Sequence, residues 1–158
     1  MIKYLKISLT IIVAIAIYFI YLFIPSRIVI SGNDNFGKMA NDPNFGVLQI
    51  QYWDKWMPYQ KIDTVSHSFF FQNSRMDVQT AFISSAKSKF IVDEVEGVLT
   101  FSALEASNDQ TYVRYECVIE NRSFSPMTRL QNFQASKKMQ KEIEMIMQAA
   151  KKHYANSK

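Results

Sequence analysis

PMTRLQNFQASKKMQKEIEMIMQAAKKHY, residues 126–154, carries eight apolar side chains at helical spacing. Met127, Leu130, Met139, Ile143, Ile146, Met147, Ala150 and Tyr154 fall on one side of a helix, while Lys137, Lys138, Lys141, Glu142, Glu144, Lys151 and Lys152 fill the rest. Pro126 after Ser125 suits a helix start, because the missing proline N–H costs nothing in a first turn. No glycine and no second proline interrupts the run from Met127 to Tyr154. At about 1.5 Å per residue the segment approaches about 40 Å, long for so small a chain. An apolar stripe of that length needs a partner surface, and the preceding chain reads as strands.

Residues 27–31 alternate like a first strand, and the Gly, Asn and Asp of residues 32–37 read as a loop. Residues 38–59 follow neither period and read as one or two short helices ending near Pro58. Beyond Pro58 the period is two. Strands are expected at residues 65–71, 81–83, 89–92, 98–104 and 111–119, with hairpin turn chemistry at residues 107–110. Connections this short force antiparallel neighbours, hence a meander. On the last strand Val113, Tyr115, Cys117 and Ile119 share the face that should meet the long helix. The class is α+β.

Residues 7–24 carry no charge, and Ser8 and Thr10 are the small polar residues among them. About 18 apolar residues is the lower working length of a membrane-spanning helix, with Tyr4, Tyr18 and Tyr21 placed for its interfaces. A cleaved signal peptide would end at small residues, whereas this segment ends Leu22-Phe23-Ile24-Pro25. The expected organisation is a transmembrane anchor over residues 1–25 and one domain over residues 26–158, in the cell membrane as a single-pass protein. Lys3 and Lys6 favour an N-terminus inside and a domain outside the cytoplasm.

Composition narrows the partners. Of 158 residues, 48% are hydrophobic and 20% charged, a globular balance. The net charge of +4 is uneven: residues 25–125 hold 9 basic and 12 acidic side chains, residues 126–158 hold 7 and 2. A basic helix beside a mildly acidic sheet fits a solvated helix face, not a nucleic-acid footprint. The single cysteine, Cys117, rules out an internal disulfide and a multi-cysteine metal site, and reads as a buried small hydrophobe.

Both tryptophans, Trp53 and Trp56, stand three apart and share a face of one helical turn. They read either as the lip of an apolar cavity or as a plug at one end of the core. His67 is the best single candidate for a general base, on the strand side shared with Phe69 and Phe71, although a lone strand histidine is more often structural. Arg114 and Glu116 alternate away from the core, and Asp93, Glu94 and Glu96 mark a solvated turn. No G-x-S-x-G, P-loop or H-E-x-x-H pattern occurs. These residues make no catalytic set, and no cofactor or metal is expected.

The order of strand, short helices, antiparallel strands and long last helix resembles the START-like (SRPBCC, birch-pollen-allergen-like) superfamily, in its polyketide cyclase/dehydrase-type branch. Trp53-Asp54-Lys55-Trp56-Met57-Pro58 resembles that family's Trp-x-x-Trp-x-Pro segment. Ser125-Pro126-Met127-Thr128-Arg129-Leu130 resembles the Pro-x-x-Arg-hydrophobic start of its last helix. Bacterial members with one N-terminal anchor look similar end to end. The loop-like residues 32–44 depart from the family's usual link into a well-formed helix. The resemblance implies a helix-grip fold, in which a curved antiparallel sheet wraps the C-terminal helix around an apolar cavity. It implies a lipid or other hydrophobic small molecule as partner, with chemistry in only some members. Cavity candidates are then Trp53, Trp56, His67, Phe69, Phe71, Tyr115, Met139, Ile143 and Met147, the helix residues being equally able to close a core. A cyclase- or hydratase-like enzyme and an interaction domain of a membrane complex are the competing readings. A cone-shaped nuclear-transport-factor-type fold is disfavoured, because its major helices precede the sheet.

Overall fold

The computed structural model describes residues 2–37, 48–82, 85–106, 110–121 and 123–155. Helix α1 runs Ile2–Phe23 and strand β1 Arg27–Asn35. A 3-10 turn, Ile50–Tyr52, leads into the single turn of α2, Trp53–Trp56. Strands β2 (Lys61–Asp63), β3 (Ser68–Phe70), β4 (Ser74–Ala81), β5 (Ser85–Val92), β6 (Val95–Ala106) and β7 (Gln110–Glu120) come next, and α3, Pro126–Ala155, comes last. All seven strands form one antiparallel sheet in the order β1-β7-β6-β5-β4-β3-β2. The meander therefore runs from β2 to β7, and the first strand returns beside the last.

Helix α3 starts as its sequence predicts. The Ser125 hydroxyl accepts the Thr128 N–H at 3.4 Å, and Pro126 takes the position where no donor is needed. Lys152 and His153 in the last turn suit the negative end of the helix dipole. Met139, Ile143, Ile146, Met147 and Ala150 are buried in one cluster with Val113, Tyr115, Cys117 and Ile119 of β7 and with Leu99, Phe101, Phe90 and Val92 of β6 and β5. Met127 leaves the expected stripe: it is exposed, because the first turns of α3 pass the end of the sheet.

Several strand boundaries differ from the sequence reading. Strand β1 continues through Gly32, Asn33 and Asp34 to Asn35, where a loop was expected, because β7 supplies partners as far as Tyr112. Turn-forming composition yields here to the ladder. The Tyr115 ring lies over Gly32, so a Cβ there would sit 2.6 Å from its Cζ, and only glycine admits the ring. Residues 65–67 are not strand. Asp63 accepts the backbone N–H of Val65 at 3.0 Å and the Ser66 hydroxyl at 2.8 Å, and His67 adopts φ +50°, so the segment turns between β2 and β3. Those bonds, the Ser66 hydroxyl foremost, hold the Asp63 carboxyl below its ordinary pKa. Ala81 closes a longer strand, β4, in which Met76 is buried between outward Arg75 and Asp77. Strand β5 begins at Ser85, earlier than expected, and Asp93 and Glu94, with φ +49° and +67°, form the two-residue turn into β6. Of the expected turn at residues 107–110, residues 107–109 lie outside the described residues, and Gln110 is already strand, paired with Ala106.

The end of α1 is fastened to the sheet and to α3. Asn121 donates its side-chain N–H to the Pro25 carbonyl at 2.9 Å and its backbone N–H to Ser26 at 2.7 Å. Its Oδ1 accepts from Asn132 of α3. Arg129 donates Nη1 to the Ile24 carbonyl at 3.1 Å, its guanidinium lying 4.4 Å from the centre of the Tyr21 ring. The Tyr21 hydroxyl donates to the Phe124 carbonyl.

Candidate functional site

Between α3 and the centre of the sheet the side chains are packed. An opening lies at the β2–β3–β4 edge, a cavity of about 750 Å³, within the usual range for a small-molecule site. Four pieces of chain line it. Leu48 and Ile50 come from the segment ahead of α2, Tyr59 and Ile62 from the segment that leads into and through β2, and Phe69 from β3. Ala81 and Phe82, at the end of β4, complete the wall. Phe82 is 68% exposed, so a large ring stands free at the mouth.

Local chemistry holds these pieces. The Tyr59 ring meets Phe69 edge-on at 5.6 Å, and its hydroxyl donates to the Asp54 carbonyl at 3.3 Å. Gln60 N–H donates to the Phe70 carbonyl at 2.8 Å, which docks the start of β2 on β3. The Asp63-capped turn presents Thr64 and His67 to the cavity, and Val78 N–H donates to the His67 carbonyl at 3.1 Å. Gln49, Gln51 and Asp54 add further polar groups to the lining. The lining offers aliphatic and aromatic side chains to an apolar body, and imidazole, amide and carboxylate groups to a polar substituent. A second groove, about 470 Å³, has the opposite character: Asp93, Glu94, Glu96 and Glu120 line it with the polar residues of early α3. Among the described residues no three His, Cys, Asp or Glu side chains gather as a metal site.

No protein-family model matches the sequence, and a search of curated proteins finds no match. Solved structures do match. A START superfamily protein from Mycobacterium smegmatis superposes with a TM-score of 0.51 at 11% identity, over 82% of this chain and 99% of its own. Ara h 8.0201 superposes with a TM-score of 0.58 at 8% identity, over 82% and 99%. A protein of unknown function from Staphylococcus aureus gives 0.50 at 8%, over 83% and 94%. The chain has the START-like helix-grip fold. Identities this low speak to the fold alone.

Within this helix-grip domain the nine residues expected at the cavity separate into two groups. His67 and Phe69 line it. Trp53 lies one layer beneath, fully buried, with its ring 5.7 Å from Phe69, 6.2 Å from Phe101 and 6.3 Å from Trp56. Phe71 packs edge-on against Phe90 at 6.3 Å. Tyr115, Met139, Ile143 and Met147 fill the space between helix and sheet. Burial raises the Tyr115 hydroxyl pKa and pushes the Cys117 thiol up to about 12, so that thiol is no nucleophile. Sequence reasoning missed Ile50, Ile62, Tyr59 and Phe82. Ile62 sits in a strand of three residues, too short for a periodic signal. Phe82 carried a usable one, being a large ring just before a strand-to-strand connection.

Proposed function

We propose that the helix-grip domain, residues 26–158, is a non-catalytic binding module for a hydrophobic small molecule or lipid, held at a membrane by residues 1–25. The observation that carries this reading is the cavity of about 750 Å³ lined by apolar Leu48, Ile50, Ile62, Phe69 and Phe82 together with a few polar groups. Helix α1 supports the anchor, since Lys6–Phe23 is long and apolar enough to cross a membrane and none of it is buried against the rest of the chain. Lys3 and Lys6 favour the N-terminus inside and the domain outside the cytoplasm. Such an arrangement keeps the cavity near the compartment where sparingly soluble molecules concentrate.

Native mass spectrometry of residues 26–158, purified without detergent, tests the binding. An apolar molecule should accompany the domain and be lost from an Ile62→Trp variant, whose indole occupies the cavity. A domain that stays empty, and takes up neither a fatty acid nor a sterol on titration, would remove the binding reading.

A further inference from the structure

The collar where α1 meets α3 presents apolar surface that the core does not use. Phe124 is 89% exposed and Met127, on the first turn of α3, is 63% exposed. Solitary exposed apolar residues need no explanation, but these are continuous with the end of a membrane-length helix. The Phe124 carbonyl accepts the Tyr21 hydroxyl, so Phe124 stands beside the last turn of the Lys6–Phe23 span. Tyr21 lies only about 3 Å below Phe23 along the helix axis. Arg129, stacked on Tyr21 and bonded to the Ile24 carbonyl, sets a cation at the same level, the combination found where helices leave the hydrocarbon.

We propose that Phe124 and Met127 seat in the interfacial layer of the bilayer that α1 crosses, so that the domain rests on the lipid surface at a set orientation instead of trailing from its anchor. The occupant is the phospholipid interface itself. The apolar pair lies at the depth where α1 emerges, and Arg129 is placed beside lipid phosphates. This inference rests on the membrane anchor of the proposed function.

Depth-dependent quenching of the full-length protein in phosphatidylcholine vesicles tests it. Cys117 is fully buried, so a bimane label can be directed to Phe124→Cys, Ile12→Cys or Val65→Cys. The label at position 124 should be quenched more strongly by doxyl high on the acyl chain than by doxyl near its end. At position 12 the order should reverse, and at position 65 neither should quench. Loss of quenching at 124 while 12 stays quenched overturns the seating and leaves the anchor standing. Loss at both positions overturns the anchor and the seating together.

Discussion

Gly97 shows how little room the grip leaves. It pairs with Phe90 in the sheet, and a Cβ there would lie 2.8 Å from Cys117 Sγ, 3.3 Å from Ile119 Cγ1 and 3.4 Å from Met139 Sδ. Gly97→Ala should therefore destabilise the domain by about 1–3 kcal/mol, the usual cost of overpacking. Most of that loss should vanish in a Cys117→Ala background, because the closest clash is with the thiol; a denaturant titration of the four-member cycle reads the coupling. Cys117 also sets a pH response. Its thiol sits near 12 when folded, as does the Tyr154 hydroxyl, both raised chiefly by burial. Each group binds its proton more tightly folded than unfolded, so this stability is complete at neutral pH and falls once the unfolded chain ionises. For cysteine that begins near about pH 8.5, for tyrosine near about 10. The unfolding midpoint should decline between those two values in the parent and stay flat in Cys117→Ala.

At the scale of elements, α3 is the piece on which the sheet depends. Met139, Ile143, Ile146 and Met147 are all buried, and at roughly 1.5–3 kcal/mol each they contribute about 6–12 kcal/mol as an upper estimate. Net domain stability is typically about 5–15 kcal/mol, so the helix cannot be lost piecemeal. Ile146→Lys should abolish cooperative unfolding; a thermal melt of the variant with its transition intact would show that the sheet stands without α3. This helix and the β6–β7 hairpin were legible in the sequence because their periods persist over many residues and each apolar face has a long partner. Strand β4 was hidden because Arg75, Asp77 and Gln79 outweigh Met76 and Val78 in any local average, although the alternation is there. The extension of β1 was hidden for a different reason: Gly32-Asn33-Asp34-Asn35 prefers to turn, and only β7 holds it straight. The cavity was expected between sheet and C-terminal helix, whereas the opening lies at the sheet edge and takes only Phe69 and His67 from the expected residues. Its other walls come from short segments that only the tertiary fold brings together, so Ile50, Ile62 and Phe82 have no common signature along the chain.

The whole molecule joins a collar to a mouth through the sheet register. Ala81, Ala86, Phe101, Tyr115 and Gly32 form one row of partners across β4, β5, β6, β7 and β1. That row begins at the cavity wall and reaches β1 five residues beyond Arg27, about 17 Å along the strand at the usual rise. The carbonyls of Ile24 and Pro25 are already engaged by Arg129 and Asn121, so the link between α1 and the sheet is tied at both residues. A loose tether would let the mouth sweep a hemisphere and dip back toward the surface it came from. If residues 1–25 anchor the chain as proposed, this closed hinge means that spinning of α1 about the bilayer normal carries the mouth round a ring at one altitude. On that proposal, encounters with an apolar ligand become a two-dimensional search, restricted to whatever passes through that ring.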